Sequence, residues 1–238
     1  MVIKIAKFST IIIALVFVII SVTLYETLPN FQAYKNIEER RDAFVEFLLP
    51  TIGKVNEDIL YERKKVLEAK SSEEIKDIAE KYGLSNFNIE DKNRLLLRVD
   101  IIPPSLVLAQ AGIESAWGTS RFATEGNNLF GHRCFEKGCG IIPKERREGE
   151  NYEVASFKTS LEAVEKYALN LNSHYAYESL RAIRRNEHTN KKMSGMTLAD
   201  GLEKYSEIGK KYIKRVKSFI KQNDLDKYDL LYYHINQD

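Results

Sequence analysis

One apolar segment, residues 101–118, limits how the rest of this 238-residue chain can fold. Its sequence, IIPPSLVLAQAGIESAWG, puts apolar residues at the spacing of one helix face: Leu106, Ala109, Ile113 and Trp117. The proline pair suits a first helical turn, and Gly118 supplies a C-terminal stop. The segment therefore predicts a buried helix around which the other elements pack.

A single carboxylate, Glu114, interrupts this apolar helix. A glutamate is most often a surface residue at a helix edge, and that remains the simple alternative. However, small residues flank Glu114 and would let a bulky substrate approach the helix, and Trp117 follows one turn later. Partial burial beside an indole and a helix C-terminus suits a carboxyl group that donates a proton. We therefore predict that the helix ends at the floor of a cleft.

The N-terminus has the pattern of an exported protein. Lys4 and Lys7 precede an uncharged run over residues 8–24, and Glu26 follows it. At about 1.5 Å per residue, such a helix just spans a bilayer core, and the charges place the body outside. We predict a signal anchor in the inner membrane over residues 1–25, with a cleaved signal peptide as the alternative. Both place the body at the periplasmic face of that membrane, in the periplasm or outside the cell.

Composition argues against several classes of function. The net charge is +2, and no basic run is interleaved with aromatic residues, so the sequence predicts no nucleic-acid partner. The four histidines lack ligand spacing, and we expect neither a metal ion nor an organic cofactor. Cys134 and Cys139 are the only cysteines, and in an exported protein they predict a disulfide that closes a tight loop. We expect a monomer.

The segments before the central helix are helical in pattern. Apolar periodicity predicts three N-terminal helices, over residues 30–48, 55–70 and 71–83. Pro50 and Gly53 separate the first two. No long flexible linker follows, so we expect these helices to pack on the main domain.

After the central helix, the pattern changes and then returns to helix. Short extended pieces over residues 131–157 predict a small β lobe of about three strands. Helical periodicity resumes at Ser160, and a last helix is predicted over residues 197–223. The fold class is therefore mainly α with one β-hairpin lobe. The predicted divisions are residues 1–25, 26–99, 100–223 and a C-terminal tail at 224–238.

Five sequence blocks follow one another between residues 100 and 223. They are SLVLAQAGIESAWGTSRFATEGNNLFG, CFEKGCGIIP, RREG, FKTSLEAVEKYALNLNSHYAY and LEKYSEIGKKYIKRVKSFI. Together they resemble the Bax-type bacterial glucosaminidases of glycoside hydrolase family 73. The resemblance implies a lysozyme-like α+β fold and cleavage of β-1,4 bonds that follow N-acetylglucosamine in the glycan strands of peptidoglycan. Residues 26–99 resemble the helical N-terminal part of the same group less specifically.

The same resemblance implies roles for individual residues. Glu114 matches the family's acid, which protonates the glycosidic oxygen, and Tyr205 matches a tyrosine near that acid. Glu148 matches a second carboxylate on the β lobe, with Glu145 as the alternative because short strands shift register easily. The separation of the two carboxylates distinguishes a retaining from an inverting reaction, and a substrate-assisted reaction stays open.

A further set of residues is predicted to contact the sugar: Trp117, Asn128, Phe130, Tyr175 and Tyr177. Asn128 lies in a turn, where its amide either caps the backbone or faces a polar ligand. For Phe130, packing in the core is the simpler explanation. Tyr175 and Tyr177 are candidates for stacking on pyranose rings.

Two other functions share some of these motifs. A lytic transglycosylase also carries a Glu-Ser pair on a lysozyme-like helix, and it cuts after N-acetylmuramic acid instead. A non-catalytic wall-binding scaffold would not need Glu114. The order of the motifs and the acid on the β lobe favour the hydrolase.

Overall fold

The computed structural model describes residues 28–189 and 193–230, so the signal anchor predicted at residues 1–25 lies outside the described part. None of the helices in these ranges combines the length and apolar character needed to cross a bilayer. The chain is mainly helical with one small antiparallel sheet, as predicted.

Nine α-helices and three strands occur in the described ranges. The helices are α1 Ile37–Glu68, α2 Lys76–Lys81, α3 Lys92–Leu96, α4 Pro104–Ser115, α5 Arg121–Gly126, α6 Ser160–Ser173, α7 Glu178–Thr189, α8 Gly195–Leu198 and α9 Lys210–Gln222. The strands are β1 Arg133–Cys134, β2 Gly140–Ile141 and β3 Glu153–Ala155. Short 3₁₀ turns connect several of them: Phe31–Ala33, Glu73–Ile75, Ile89–Asp91, Tyr175–Tyr177, Ala199–Gly201 and Asp226–Asp229.

The first long helix is continuous, so the prediction of two helices separated at Pro50 and Gly53 is wrong. Pro50 lies inside α1, although an interior proline costs about 3 kcal/mol relative to alanine. The helix continues because one face is buried along its length, from Phe44 through Ile52 to Val66. Each large apolar side chain buried there contributes about 1.5–3 kcal/mol, which outweighs the missing hydrogen bond.

Helix α4 is the buried centre of the fold, as its apolar sequence predicts. It contacts α1, α8 and α9, and ten of its twelve residues are buried. Its first turn is closed by Asp229, whose carboxylate accepts from Ser105 N–H at 2.8 Å and from the Ser105 hydroxyl at 2.7 Å. Residues 224–230, predicted to begin a tail, therefore pack on the central helix.

The end of α4 is a left-handed turn rather than a continuing helix. The helix stops at Ser115, before the stop predicted at Gly118, and Ala116, Trp117 and Gly118 have φ values of 52°, 57° and 78°. The Ser115 hydroxyl accepts from Gly118 N–H at 2.8 Å and so holds the turn. The chain leaves the helix axis one residue after Glu114.

This turn sends Trp117 into the core instead of toward a cleft. Its indole lies between the rings of Phe44 and Phe219, with centroid distances of 5.6 and 4.8 Å. Gly112 makes room for the ring, because a Cβ atom there would lie 2.9 Å from it. The tryptophan therefore joins α1, α4 and α9.

Two segments that are helical in pattern contain breaks. Helix α6 ends at Ser173, and α7 begins after the 3₁₀ turn Tyr175–Tyr177. The last predicted helix, residues 197–223, is divided by a loop at 202–209 between the Ala199–Gly201 turn and α9. The break coincides with the burial of Leu202 in the core and with a φ of 50° at Gly209.

The β lobe is a three-stranded antiparallel sheet with β3 in the middle. The loop between β1 and β2 is closed by a disulfide between Cys134 and Cys139. The Glu153 carboxylate accepts from Gly138 N–H in this loop at 3.0 Å and from Gly140 N–H at the start of β2 at 2.8 Å. These two hydrogen bonds lower the pKa of Glu153 below its ordinary value. Disulfide and carboxylate together fix the tip of the lobe.

A buried arginine joins the N-terminal helices to the rest of the protein. Arg184 of α7 is buried and donates to carbonyl groups of the 97–101 segment and to Asn172 Oδ1 at 2.6 Å. Its Nε lies 3.6 Å from the Asp100 carboxylate, which is also 3.7 Å from Arg63 of α1. The expected packing of the N-terminal helices on the main domain is therefore found for the described residues 28–99, with a charged cluster at the junction.

We predict that Arg184→Met lowers the free energy of unfolding by about 3 kcal/mol, because Asp100 and several buried carbonyl groups lose their donor. Urea unfolding measures the change. Arg94→Met, at an exposed arginine of α3, serves as the control and is expected to stay within about 0.5 kcal/mol of wild type. Equal stability of the Arg184 variant and wild type would contradict a structural role for this cluster.

Candidate active site

A cleft of about 820 Å³ is lined by residues of both the β lobe and the helical body. Its lining is mainly polar and includes charges of both signs. From the β lobe come His132, Arg133, Glu145, Arg147, Glu150 and Tyr152, and from the helical side come Glu114, Phe130, Gly131, Asn170, Tyr177 and residues 204–208. Its volume lies in the range of pockets that hold small-molecule ligands.

Glu114 lies in the last turn of α4, and its side chain is exposed to the cleft. Carboxylate atom Oε1 accepts a hydrogen bond from the Tyr212 hydroxyl at 2.7 Å. Atom Oε2 faces Gly131, where an added Cβ would lie 3.8 Å away. The expected shielding of Glu114 by Trp117 does not occur, because the chain turns away from the helix before the tryptophan.

Tyr212 of α9 connects the Glu114 carboxylate to a buried amide. Gln110 Nε2 donates to the Tyr212 oxygen at 3.0 Å, and the Tyr167 hydroxyl donates to Gln110 Oε1 at 2.6 Å. Gln110 is fully buried, so its amide depends on these two tyrosines. Burial, followed by the nearby Glu114 charge, raises the pKa of Tyr212 above its ordinary value, which keeps the phenol a donor.

Tyr205, predicted as a catalytic residue, lines the cleft beside these groups. Its ring stacks on Tyr212, with centroids 5.2 Å apart and planes 13° apart. Its hydroxyl donates to the carbonyl oxygen of Phe130 at 3.1 Å. Burial raises the pKa of Tyr205 well above its ordinary value. The contact that holds the Glu114 carboxylate comes instead from Tyr212, in the first turn of α9.

The acids of the β lobe are placed differently from the first expectation. Glu148 is exposed and does not line the cleft, whereas Glu145 and Glu150 do. They belong to the irregular segment before β3, where Arg146 donates to the Tyr152 carbonyl at 3.1 Å. Of the two acids considered for the second carboxylate, Glu145 therefore shares the cleft lining with Glu114 and Glu148 does not.

Of the residues predicted to contact sugar, Phe130 and Tyr177 line the cleft. Phe130 also stacks on Tyr167 at a centroid distance of 4.1 Å, so it serves the core as well. Trp117 lies in the core, and Tyr175 is 76% exposed and outside the cleft lining. Tyr175 and Tyr177 belong to the same 3₁₀ turn between α6 and α7, and of the two Tyr177 is the one that lines the cleft.

Asn128 is a structural residue of the lobe base. Its amide donates to the carbonyl groups of His132 and Ala155 at 2.9 and 2.7 Å. Its Oδ1 accepts from Phe130 N–H at 3.3 Å and His132 N–H at 3.1 Å. The buried amide is thus occupied by the backbone, which was one of the two predicted roles.

One group of three possible metal ligands occurs among the described residues, formed by Cys134, Cys139 and Glu153. Both sulfur atoms are bonded to each other and are not thiolates. The Glu153 carboxylate is occupied by two backbone N–H groups. These residues form a structural clip and not a metal site.

Sequence reasoning did not identify Tyr212, Gln110 or Glu150 as residues of this region. Tyr212, Val216 and Ile220 follow the spacing of a buried helix face, and that pattern alone indicates packing. Gln110, the only polar residue between Ser105 and Glu114, was a usable signal, because a buried amide requires partners.

Residues 89–225 match the family described as mannosyl-glycoprotein endo-beta-N-acetylglucosaminidase. The chain belongs to this family and is a glycoside hydrolase, which confirms the predicted family and enzyme class.

Protein bax of Escherichia coli strain K12 is 33% identical over 198 residues, which cover 78% of this chain and 70% of that protein. The catalytic domain of the autolysin Auto from Listeria monocytogenes has a TM-score of 0.46 and 17% identity. That alignment covers 85% of this chain and 89% of that one.

We predict that His132 makes stability fall in acid. Burial, followed by the charge of Lys166, lowers its pKa to about 4, from an ordinary value near 6.5. The unfolded chain therefore binds more protons between these values, and stability is lost as the pH falls below about 6.5. His132→Phe should reduce that loss by about 2 kcal/mol between pH 7 and 4.5.

Urea unfolding of wild type and His132→Phe at a series of pH values measures this difference. The free energy of unfolding of the variant should improve relative to wild type as the pH falls. A constant difference across the series would show that His132 titrates normally in the folded protein.

Proposed function

We propose that this chain is an endo-β-N-acetylglucosaminidase that hydrolyses peptidoglycan, with Glu114 as the general acid. The observation that carries the proposal is an exposed carboxylate at the floor of a cleft, held on one oxygen by a tyrosine hydroxyl at 2.7 Å. Membership in a glycoside hydrolase family supports a role for this carboxylate in cleaving a glycosidic bond.

In this reaction the proton of Glu114 passes to the glycosidic oxygen, and the bond from that oxygen to the anomeric carbon breaks. The electron pair of the bond stays on the departing oxygen. The oxygen of a water molecule ends on the anomeric carbon, and the water's proton restores the acid. Donation from Tyr212 stabilises the carboxylate of Glu114 while it lacks its proton.

Glu145 is our candidate for the second carboxylate, with Glu148 retained as the alternative. Its support is that it lines the cleft on the lobe side, whereas Glu148 does not. A carboxylate there would stabilise positive charge at the anomeric carbon or activate water. Glu150 lies on the same wall and serves as a comparison in the experiment below.

Phe130 and Tyr177 are the aromatic residues that we propose to contact the sugar, because both line the cleft. The body of the enzyme is proposed to act outside the cytoplasm, on glycan strands of the cell wall. The Cys134–Cys139 disulfide supports this location, because disulfides persist in oxidising compartments. The N-terminal signal anchor remains a prediction from the sequence.

We predict that Glu114→Gln lowers clearing of a peptidoglycan zymogram by about 100-fold or more, because the amide cannot donate an acid proton. Glu125→Gln, at an exposed carboxylate of α5 outside the cleft, is the matched control and should clear like wild type. Equal clearing by the Glu114 variant would remove that residue from the acid role. A wild type without activity on any wall preparation would instead favour a scaffold.

Mass spectrometry of the digest separates the two enzyme hypotheses. The proposed reaction leaves reducing N-acetylglucosamine ends and retains the water oxygen, which a digest in H₂¹⁸O would label. Anhydromuramic ends without the label would identify a lytic transglycosylase instead.

A second prediction compares Glu145→Gln, Glu148→Gln and Glu150→Gln under the same conditions. The Glu145 variant should lose activity by about 100-fold, and the Glu148 variant should retain most of it. Thermal unfolding of each variant separates lost chemistry from lost structure. Full activity of Glu145→Gln with loss in Glu148→Gln would reverse our assignment.

A further inference from the structure

A chain of hydrogen bonds runs from the protein interior to the carboxylate of Glu114. The Tyr167 hydroxyl donates to Gln110 Oε1 at 2.6 Å, and Gln110 Nε2 donates to the Tyr212 oxygen at 3.0 Å. The Tyr212 hydroxyl then donates to Glu114 Oε1 at 2.7 Å. Three helices, α6, α4 and α9, supply these residues.

The direction of this chain is set at its buried end. Tyr167 is fully buried, and among the described residues Gln110 Oε1 is the acceptor for its proton. An amide side chain has one oxygen that accepts and one nitrogen that donates. With its oxygen facing Tyr167, Gln110 turns its nitrogen toward Tyr212.

The consequence for Tyr212 follows from its single proton. Its oxygen already accepts from Gln110, so its own proton is directed at Glu114 Oε1. The reversed chain, with Glu114 donating to Tyr212, would turn the Gln110 nitrogen toward Tyr167. The Tyr167 proton would then be buried without an acceptor, which proteins avoid.

We propose that Gln110 and Tyr167 are positioning residues that keep the acid proton of Glu114 on Oε2. Oε1 of Glu114 always faces the Tyr212 hydroxyl as a donor, so a proton on Oε1 would be repelled by the Tyr212 proton. Oε2 faces Gly131, which lines the cleft where the substrate binds. This inference rests on the proposed role of Glu114 as general acid, and it adds which of the two carboxyl oxygens delivers the proton.

The raised pKa values of Tyr167 and Tyr212 are consistent with hydrogen-bond donation in one fixed direction, toward Glu114. Burial raises the pKa of Tyr167 and of Tyr212 above their ordinary values, so both stay protonated donors throughout the pH range of the enzyme. Phe130 stacks on Tyr167 at 4.1 Å and holds its ring in place. The interior end of this hydrogen-bond chain is therefore buried and packed.

The test is a double-mutant cycle on kcat and KM with soluble glycan fragments. Tyr212→Phe should lower kcat by about 30-fold, and Tyr167→Phe by about 5-fold, with KM changed less than about twofold in each. The double variant should be no slower than Tyr212→Phe alone, because the upstream bond acts only through Tyr212. Tyr82→Phe is the control, since it removes a buried hydroxyl that donates to Glu62 at 2.8 Å, away from the cleft. It should have the kcat of wild type.

Two outcomes would overturn the inference: unchanged kcat in Tyr167→Phe, or a double variant whose loss is the product of the single losses. If Tyr167→Phe does not fold, Gln110→Met replaces it in the cycle, with the same expectation of no further loss on the Tyr212→Phe background. These results are separable from the proposed function. An active Glu114→Gln enzyme would refute the acid assignment. An inactive Glu114→Gln enzyme, together with multiplicative losses in the Tyr167 and Tyr212 variants, would refute only the positioning role of Gln110 and Tyr167.

Discussion

The buried amide of Gln110 is the interaction on which the arrangement of this enzyme depends. It lies in the middle of a largely apolar helix, and burial without partners would cost several kcal/mol. Its two partners, Tyr167 and Tyr212, come from helices on different parts of the chain. Both hydrogen bonds of the amide form only when α4 has one orientation about its axis and one position along that axis relative to α6 and α9. Because Glu114 follows one turn later on the same helix, the position of its carboxylate is fixed by the same constraint.

The left-handed turn after Ser115 completes that arrangement. Residues with positive φ other than glycine are uncommon, and two occur here in succession, Ala116 and Trp117. Their conformational cost is offset by the burial of Trp117 between α1 and α9 and by the hydroxyl of Ser115. The helix can thus end at the cleft floor while its next large side chain stabilises the core. An α-helix continued to Gly118 could not do both.

The sequence allows the class of fold to be predicted because its strongest signals are local. Apolar periodicity identifies α4, and short extended pieces identify the β lobe. The cysteine pair indicates the disulfide, and the acid Glu114 stands out against its apolar neighbours. The continuous helix through Pro50 could not be predicted in this way, because its stability comes from burial against distant elements. The loop at 202–209 was missed for a similar reason, since it is held by tertiary contacts of Leu202. In both cases tertiary packing overrides local propensity.

The candidate site was harder to predict than the fold, because its geometry joins residues about a hundred positions apart. Glu114 and Tyr212 are separated by 98 positions, and Gln110 and Tyr212 by 102. Helical spacing places Tyr212 on a buried face but does not show which polar atom it meets there. On the β lobe, a shift of a few residues decides whether Glu145 or Glu148 faces the cleft, and strands of two or three residues set that register only weakly.

The two walls of the cleft are stabilised by different kinds of interaction. The floor belongs to the common core, where Gln110 and Trp117 tie the helices together. The lobe has little core of its own and relies on the disulfide, the Glu153 carboxylate and the Asn128 amide. The lobe is also tied to the helical body, because Arg121 of α5 donates to the Ile142 carbonyl at 2.8 Å and the Asn127 amide donates to the Phe157 carbonyl at 3.0 Å.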